Sequence, residues 1–129
     1  MPILFNMELE TVNVIFTRHE LTPKQKVCIR DIVIDCSDLA KLDINNTGDA
    51  IDIIKSIRER VKGYDTVSIY GVIPVPLREV LHMDYNRFKS DCTVVYIYEA
   101  WNIQRSIEGQ KPSFEFKEWC MTGEYYFPR

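Results

Sequence analysis

Four consecutive residues, Thr17-Arg18-His19-Glu20, carry the densest chemistry in the chain. Arg18 offers a planar fork of donors suited to phosphate. His19 can take or give a proton near neutral pH. The plainer alternative pairs Arg18 with Glu20 or Asp43 and leaves His19 as a loop residue. A second set is Trp101, Asn102 and Arg105. An indole can stack on a base, a contact that contributes roughly 1–3 kcal/mol. An amide can read a base edge, and a second guanidinium can hold a phosphate. The alternative places Trp101 in the core or a dimer interface. Gly71-Val72-Ile73-Pro74 has little side-chain chemistry but suits a pocket floor made of main chain. Gly71 admits close approach of a ligand, and Ile73-Pro74 is a candidate cis bond. Asn45-Asn46-Thr47 supplies turn and cap chemistry.

The elements around these segments decide whether they meet. Val12 to Thr17 is a β-branched apolar run and reads as a buried strand. Thr22-Pro23-Lys24-Gln25 is a capping box with Pro at N1, so a helix is predicted from Pro23 to about Val33. Leu39 to Ile44 reads as a short second strand. Ala50, Ile54, Ile57 and Val61 mark one face of a helix from about Gly48 to Lys62, with Gly63 after it. Thr66 to Tyr70 is a third strand, a short helix begins near Val75 or Pro76, and Thr93 to Tyr98 is a fourth strand. Residues 104–113 read as a loop. Phe114 to Trp119 and Glu124 to Phe127 are predicted to form a terminal hairpin around Thr122-Gly123, and residues 1–10 an edge strand.

Strands alternating with helices imply a single α/β domain over residues 1–129. The expected fold is a Rossmann-like three-layer sandwich: a mostly parallel sheet with a C-terminal β-hairpin. Val14, Phe16, Val67, Ile69, Val95 and Ile97 should be buried. In such a sheet ligands bind beyond the carboxyl ends of the strands. All four chemical segments fall at such ends.

Composition narrows the function. The 129 residues carry a net charge of −3, whereas binding duplex nucleic acid through its phosphates favours a basic excess. Dinucleotide and P-loop glycine signatures and the nucleophile elbow are absent. Cys28, Cys36, Cys92 and Cys120 are not in C-x-x-C spacing, and the two histidines, His19 and His82, are far apart, so neither a metal nor a cofactor is expected. The four cysteines read as buried free thiols in a cytoplasmic protein. The opening residues lack the basic n-region of a signal peptide, and no apolar run approaches the ~18 residues of a membrane span.

Asn13-Val14-Ile15-Phe16-Thr17-Arg18-His19-Glu20-Leu21-Thr22-Pro23-Lys24-Gln25 resembles the small stand-alone Rossmann-like proteins associated with CRISPR systems and their phages. Tyr70-Gly71-Val72-Ile73-Pro74-Val75-Pro76-Leu77 looks like their second signature. Together the two stretches cover about a sixth of the chain. The resemblance implies a CARF-like homodimer that binds cyclic oligoadenylate in a groove between protomers, with metal-free ring cleavage in some members. On that analogy Arg18 would stabilise charge on the phosphorus, His19 would move a proton, and Trp101 and Asn102 would hold an adenine. Two alternatives remain: a non-catalytic nucleotide sensor or sequestering protein, and a phage or host protein-interaction module built on the aromatic C-terminal segment.

Overall fold

A computed structural model describes residues 10–83 and 92–128. The predicted edge strand falls, save for Glu10, outside them. The elements run β1 (Thr11–Phe16), α1 (Pro23–Lys26), β2 (Val33–Asp35), α2 (Ser37–Ala40), α3 (Thr47–Arg60), β3 (Thr66–Gly71), α4 (Val75–Met83), β4 (Cys92–Arg105) and β5 (Ser113–Pro128). They form one mixed α/β fold around a five-stranded sheet of order β2-β1-β3-β4-β5. The first four strands are parallel, and β5 runs antiparallel to β4. No helix among the described residues is long and apolar enough to cross a membrane.

Strand alternation sends Val12, Val14 and Phe16, Val67 and Ile69, and Val95 and Ile97 to one face, all at most 2% exposed. Register aligns them in rows: Val14 lies beside Ile69, which lies beside Ile97. Ala50, Ile53, Ile54 and Ile57 of α3 and Leu77, Val80 and Leu81 of α4 complete this core. Asn46 caps α3 by accepting from the Asp49 amide at 2.9 Å, and Gly63 follows the helix at φ 97°.

Crossover handedness explains the rest. The step from β1 to β2 runs opposite to the later steps, so a right-handed connection puts α1 on the other face. Contacts agree: the Asn13 amide donates to the Arg30 carbonyl, and the Trp119 indole to the Gln25 carbonyl. On that face the sheet carries half-buried Ile15, Tyr70, Tyr96 and Tyr98.

Three expectations change. The capping box at Thr22 forms as predicted, but the helix stops at Lys26 instead of Val33. The chain must return to the sheet edge within a few residues; Ile29, Ile32 and Val33 are β-branched, and Asp31 takes φ 67°. The second strand is therefore Val33–Asp35 rather than Leu39–Ile44; residues 37–40 are helical and Leu39 is buried. The terminal hairpin around Thr122-Gly123 is instead one continuous strand, β5, whose partner is β4. Thr122 and Lys117 drop out of register, so a bulge at Thr122 stands where a turn was expected and a second interrupts the strand at Lys117. The thiols are free, yet only Cys36 is buried; Cys28 is exposed, outside any helix, and Cys92 and Cys120 are half-exposed. Ile73-Pro74 is trans.

Two arginines tie elements together. Arg78 on α4 donates to the Ile73 carbonyl, the Thr122 hydroxyl and carbonyl, and Glu99 at 2.9 Å, joining the helix to β4 and β5. Arg60 on α3 makes a two-pronged pair with Asp38 on α2, both bonds 2.7 Å. That hydrogen-bonded guanidinium holds the Asp38 carboxyl at about 2, below its ordinary 3.8. A lowered carboxylate value stabilises the fold above the unfolded pKa, and the contribution disappears as pH falls from about 4 to about 2. Asp38→Asn should therefore lower the melting temperature slightly at neutral pH, the pair being solvent-exposed, and not at all below pH about 2. Melting curves of both proteins between pH 2 and 7 check this.

Candidate functional site

The chain visits β2 on one side of β1 and then returns to β3 on the other. The β1/β3 gap is thus the topological switch point, where open α/β sheets of order 2-1-3-4-5 place their ligands. A cavity of about 440 Å³ opens there. Phe16, Thr17, Arg18 and His19 come from the end of β1, and Gly71, Val72 and Pro74 from the end of β3. Leu21 and Gln25 close it from the α1 side.

The last wall comes from the β4–β5 ribbon. β3 pairs with β4 only as far as Tyr98, whereas β5 follows β4 to Arg105. The two strands therefore project past the sheet, and Ala100, Asn102 and Trp119 face the cavity. Ala100 lies opposite Trp119 in register, a small residue beside the indole. Trp119 is fixed by its 3.2 Å bond to the Gln25 carbonyl, an edge contact with Tyr70 (centroids 5.2 Å, 77°) and Phe116 at 5.4 Å. Tyr70 stacks in turn on Tyr98 at 5.0 Å, and burial raises its phenol pKa.

Arg18 does not pair with Glu20 or Asp43. Its Nε donates to the Ala40 carbonyl at 3.0 Å and its Nη2 to the Leu42 carbonyl at 3.5 Å, clasping the end of α2. The Thr17 hydroxyl donates to the His19 carbonyl at 2.7 Å and shapes the loop. Glu20 pairs with Lys26 at 3.3 Å. Across the loop lies a second cavity of about 280 Å³, lined by Ile15, Asp35, Ser37, Lys26 and Lys41 and sharing Thr17 to Leu21 with the first. The Ser37 hydroxyl and amide lower the pKa of Asp35.

Of the residues singled out in the sequence, Thr17, Arg18, His19, Gly71, Val72, Pro74 and Asn102 converge. Ile73 is in the core at 4% exposure. Trp101 is 56% exposed and does not line the cavity. Arg105 pairs with Glu115 at 2.6 Å. Asn46 caps α3, and Asn45 lines a separate hollow with Asp49 and Asp52; Thr47 begins α3. Sequence reasoning missed Trp119 and Gln25. Trp119 stands in the sequence only as the end of a predicted strand, and it is the register setting it opposite Ala100 that brings it to the cavity. A larger hollow, about 610 Å³, lies at the opposite end of the strands among Arg58, Lys62, Tyr64, Asp65 and Phe127. Among the described residues no cluster of His, Cys, Asp and Glu could hold a metal.

No protein-family model matches the chain, and neither does a curated protein or a solved structure.

Proposed function

We propose that the switch-point cavity binds a nucleotide, with cyclic oligoadenylate the ligand class and a homodimer the working form. The observation that carries this reading is the meeting of an indole, two amides, a guanidinium and an imidazole at the β1/β3 crevice. Trp119 offers a base an aromatic surface, Gln25 and Asn102 offer its edge hydrogen-bond partners, and Arg18 and His19 stand where a phosphate would follow. A cavity of about 440 Å³ lies in the lower part of the ~300–1,000 Å³ range of small-molecule sites. It suits one nucleotide unit, so a ring of several units calls for cavities from two protomers. The exposed Trp101 and Ile103 on one face of the ribbon supply apolar surface that pairing would cover. Helices on both sheet faces, as handedness dictates, support the finer Rossmann-like description. The reading places the protein in the cytoplasm, away from duplex nucleic acid and membranes.

Binding without turnover is the better-supported form. A proton-transferring imidazole is ordinarily oriented by a partner, and among the described residues no side chain is hydrogen-bonded to the His19 ring. Calorimetric titration with cyclic tetra-adenylate, with products followed in EDTA, tests both forms. Binding at one ring per two protomers is expected, weakened about 5- to 150-fold in Trp119→Ala through lost stacking. If product does appear, His19→Ala should slow it by ~10²–10⁴ with affinity unchanged. No binding of either cyclic tetra-adenylate or AMP at millimolar concentration would overturn the reading and leave the interaction-module alternative.

A further inference from the structure

The two cavities at the carboxyl ends are separated only by the loop from Thr17 to Leu21, and Arg18 and His19 line both. Their chemistries differ. The β1/β3 cavity has an aromatic and amide lining. The β1/β2 cavity adds Lys26 and Lys41 to Arg18, against the carboxylates of Glu20 and Asp35. Lys26 is engaged by Glu20 at 3.3 Å. The Lys41 ammonium has no ion-pair partner among the described residues, although it lies near enough to favour the charged form of Asp35. Asp35 already accepts from the Ser37 amide at 2.9 Å, so its charge is partly met within its own turn.

We infer that the two cavities are halves of one bipartite site, in which the β1/β2 cavity takes the phosphate end of a nucleotide whose base lies against Trp119. This rests on the nucleotide reading above and deepens it by assigning Lys41, with Lys26, as the phosphate-end cations. Arg18 stands at the passage between the halves. Two of its donors are held by carbonyls, so its charge acts on a phosphate while Lys41 supplies donors that no carboxylate occupies. The ligand class that follows is a base joined through a ribose to at least one phosphate, and a bare nucleoside fills only half the site.

Adenosine, AMP and inorganic pyrophosphate, titrated calorimetrically into wild type, Lys41→Gln and Trp119→Ala, test the inference. AMP should bind more tightly than adenosine, and raising the salt concentration should erase the difference. Lys41→Gln should weaken AMP and pyrophosphate about tenfold or more and leave adenosine unchanged. Trp119→Ala should weaken adenosine and AMP and leave pyrophosphate unchanged. If AMP and adenosine bind equally, or if Lys41→Gln leaves AMP untouched, the phosphate half is overturned while the base cavity stands. Pyrophosphate binding without adenosine, AMP or cyclic tetra-adenylate binding overturns the nucleotide reading and with it the bipartite site. Lys41 is exposed, so its substitution should leave the melting temperature unchanged and keep the comparison clean.

Discussion

Gly71→Ala is expected to destabilise the fold by about 3 kcal/mol or more, among the larger single-residue effects. Gly71 ends β3 at φ 153°, a conformation that side chains rarely adopt. A Cβ built there would lie 1.7 Å from the Phe16 carbonyl oxygen and 2.6 Å from its carbon. Both are backbone atoms of the neighbouring strand, so no rotamer change relieves the overlap. Phe16 and Gly71 are register partners at the last rung of the β1–β3 pairing. To separate them, the strands must splay where the cavity begins, which removes pairing and moves Thr17 and Arg18 together. At a few degrees per kcal/mol for a domain of this size, the melting temperature should fall by about 10 °C or more. Thermal and urea denaturation measure it. A variant that melts within about 2 °C of wild type would mean that the two strand ends are not so close. The sequence reading gave Gly71 room for a ligand; the molecule uses that room for its own backbone.

The parts of the fold that were legible are those set by local periodicity. Val12 to Phe16, Val67 to Ile69 and Val95 to Ile97 alternate or run apolar because they are buried, and the order of strands and helices follows from that pattern. Elements shorter than about one helical repeat were not legible. The capping box at Thr22 announces a helix start with real chemistry, yet nothing local says that it must end four residues later; the limit comes from the distance back to β2. Likewise Val33–Asp35 is too short to show a period, and its strand character comes from pairing with Asn13 to Ile15. The β4–β5 ribbon shows a third kind of failure. Thr122-Gly123 has turn composition, but β5 pairs with β4 on both sides of it, so the long antiparallel pairing prevails and Thr122 becomes a bulge.

The site follows the same division. Residues at the ends of predicted strands, Thr17 to His19 and Gly71, Val72 and Pro74, line the cavity as expected, because the carboxyl-end rule needs only strand boundaries. Trp119 was not found that way, because its place depends on a register fixed across the hairpin by two bulges. Arg18 lies just after β1, as expected, but its partners are carbonyls and not the Glu20 or Asp43 of the plainer alternative. Its carbonyl acceptors, Ala40 at the end of α2 and Leu42 just beyond it, both fall in the stretch from Leu39 to Ile44 that was expected to be a strand.

That difference changes what Arg18→Ala should do. As a free loop side chain, Arg18 would affect the ligand alone. Since it donates to the carbonyls of Ala40, the last residue of α2, and of Leu42 just past it, its removal should also cost about 1–2 kcal/mol of stability, the bonds being partly exposed. If its charge also serves a phosphate, nucleotide affinity should fall about 10- to 150-fold. The two effects separate by measurement. Affinity is read by calorimetry well below the melting temperature, where the variant is folded, and stability by urea titration. Arg18→Lys sharpens the separation: an ammonium keeps the charge yet cannot fork to two carbonyls, so affinity should recover more fully than stability. A variant that loses stability while binding AMP and cyclic tetra-adenylate as wild type does would make Arg18 only the clasp on α2. One that loses affinity with an unchanged urea midpoint would mean that the carbonyl contacts contribute nothing and that the guanidinium is free for the ligand. The expected result is both losses in Arg18→Ala, because one planar group can hold the loop with two donors while its remaining edge and its charge face the cavity.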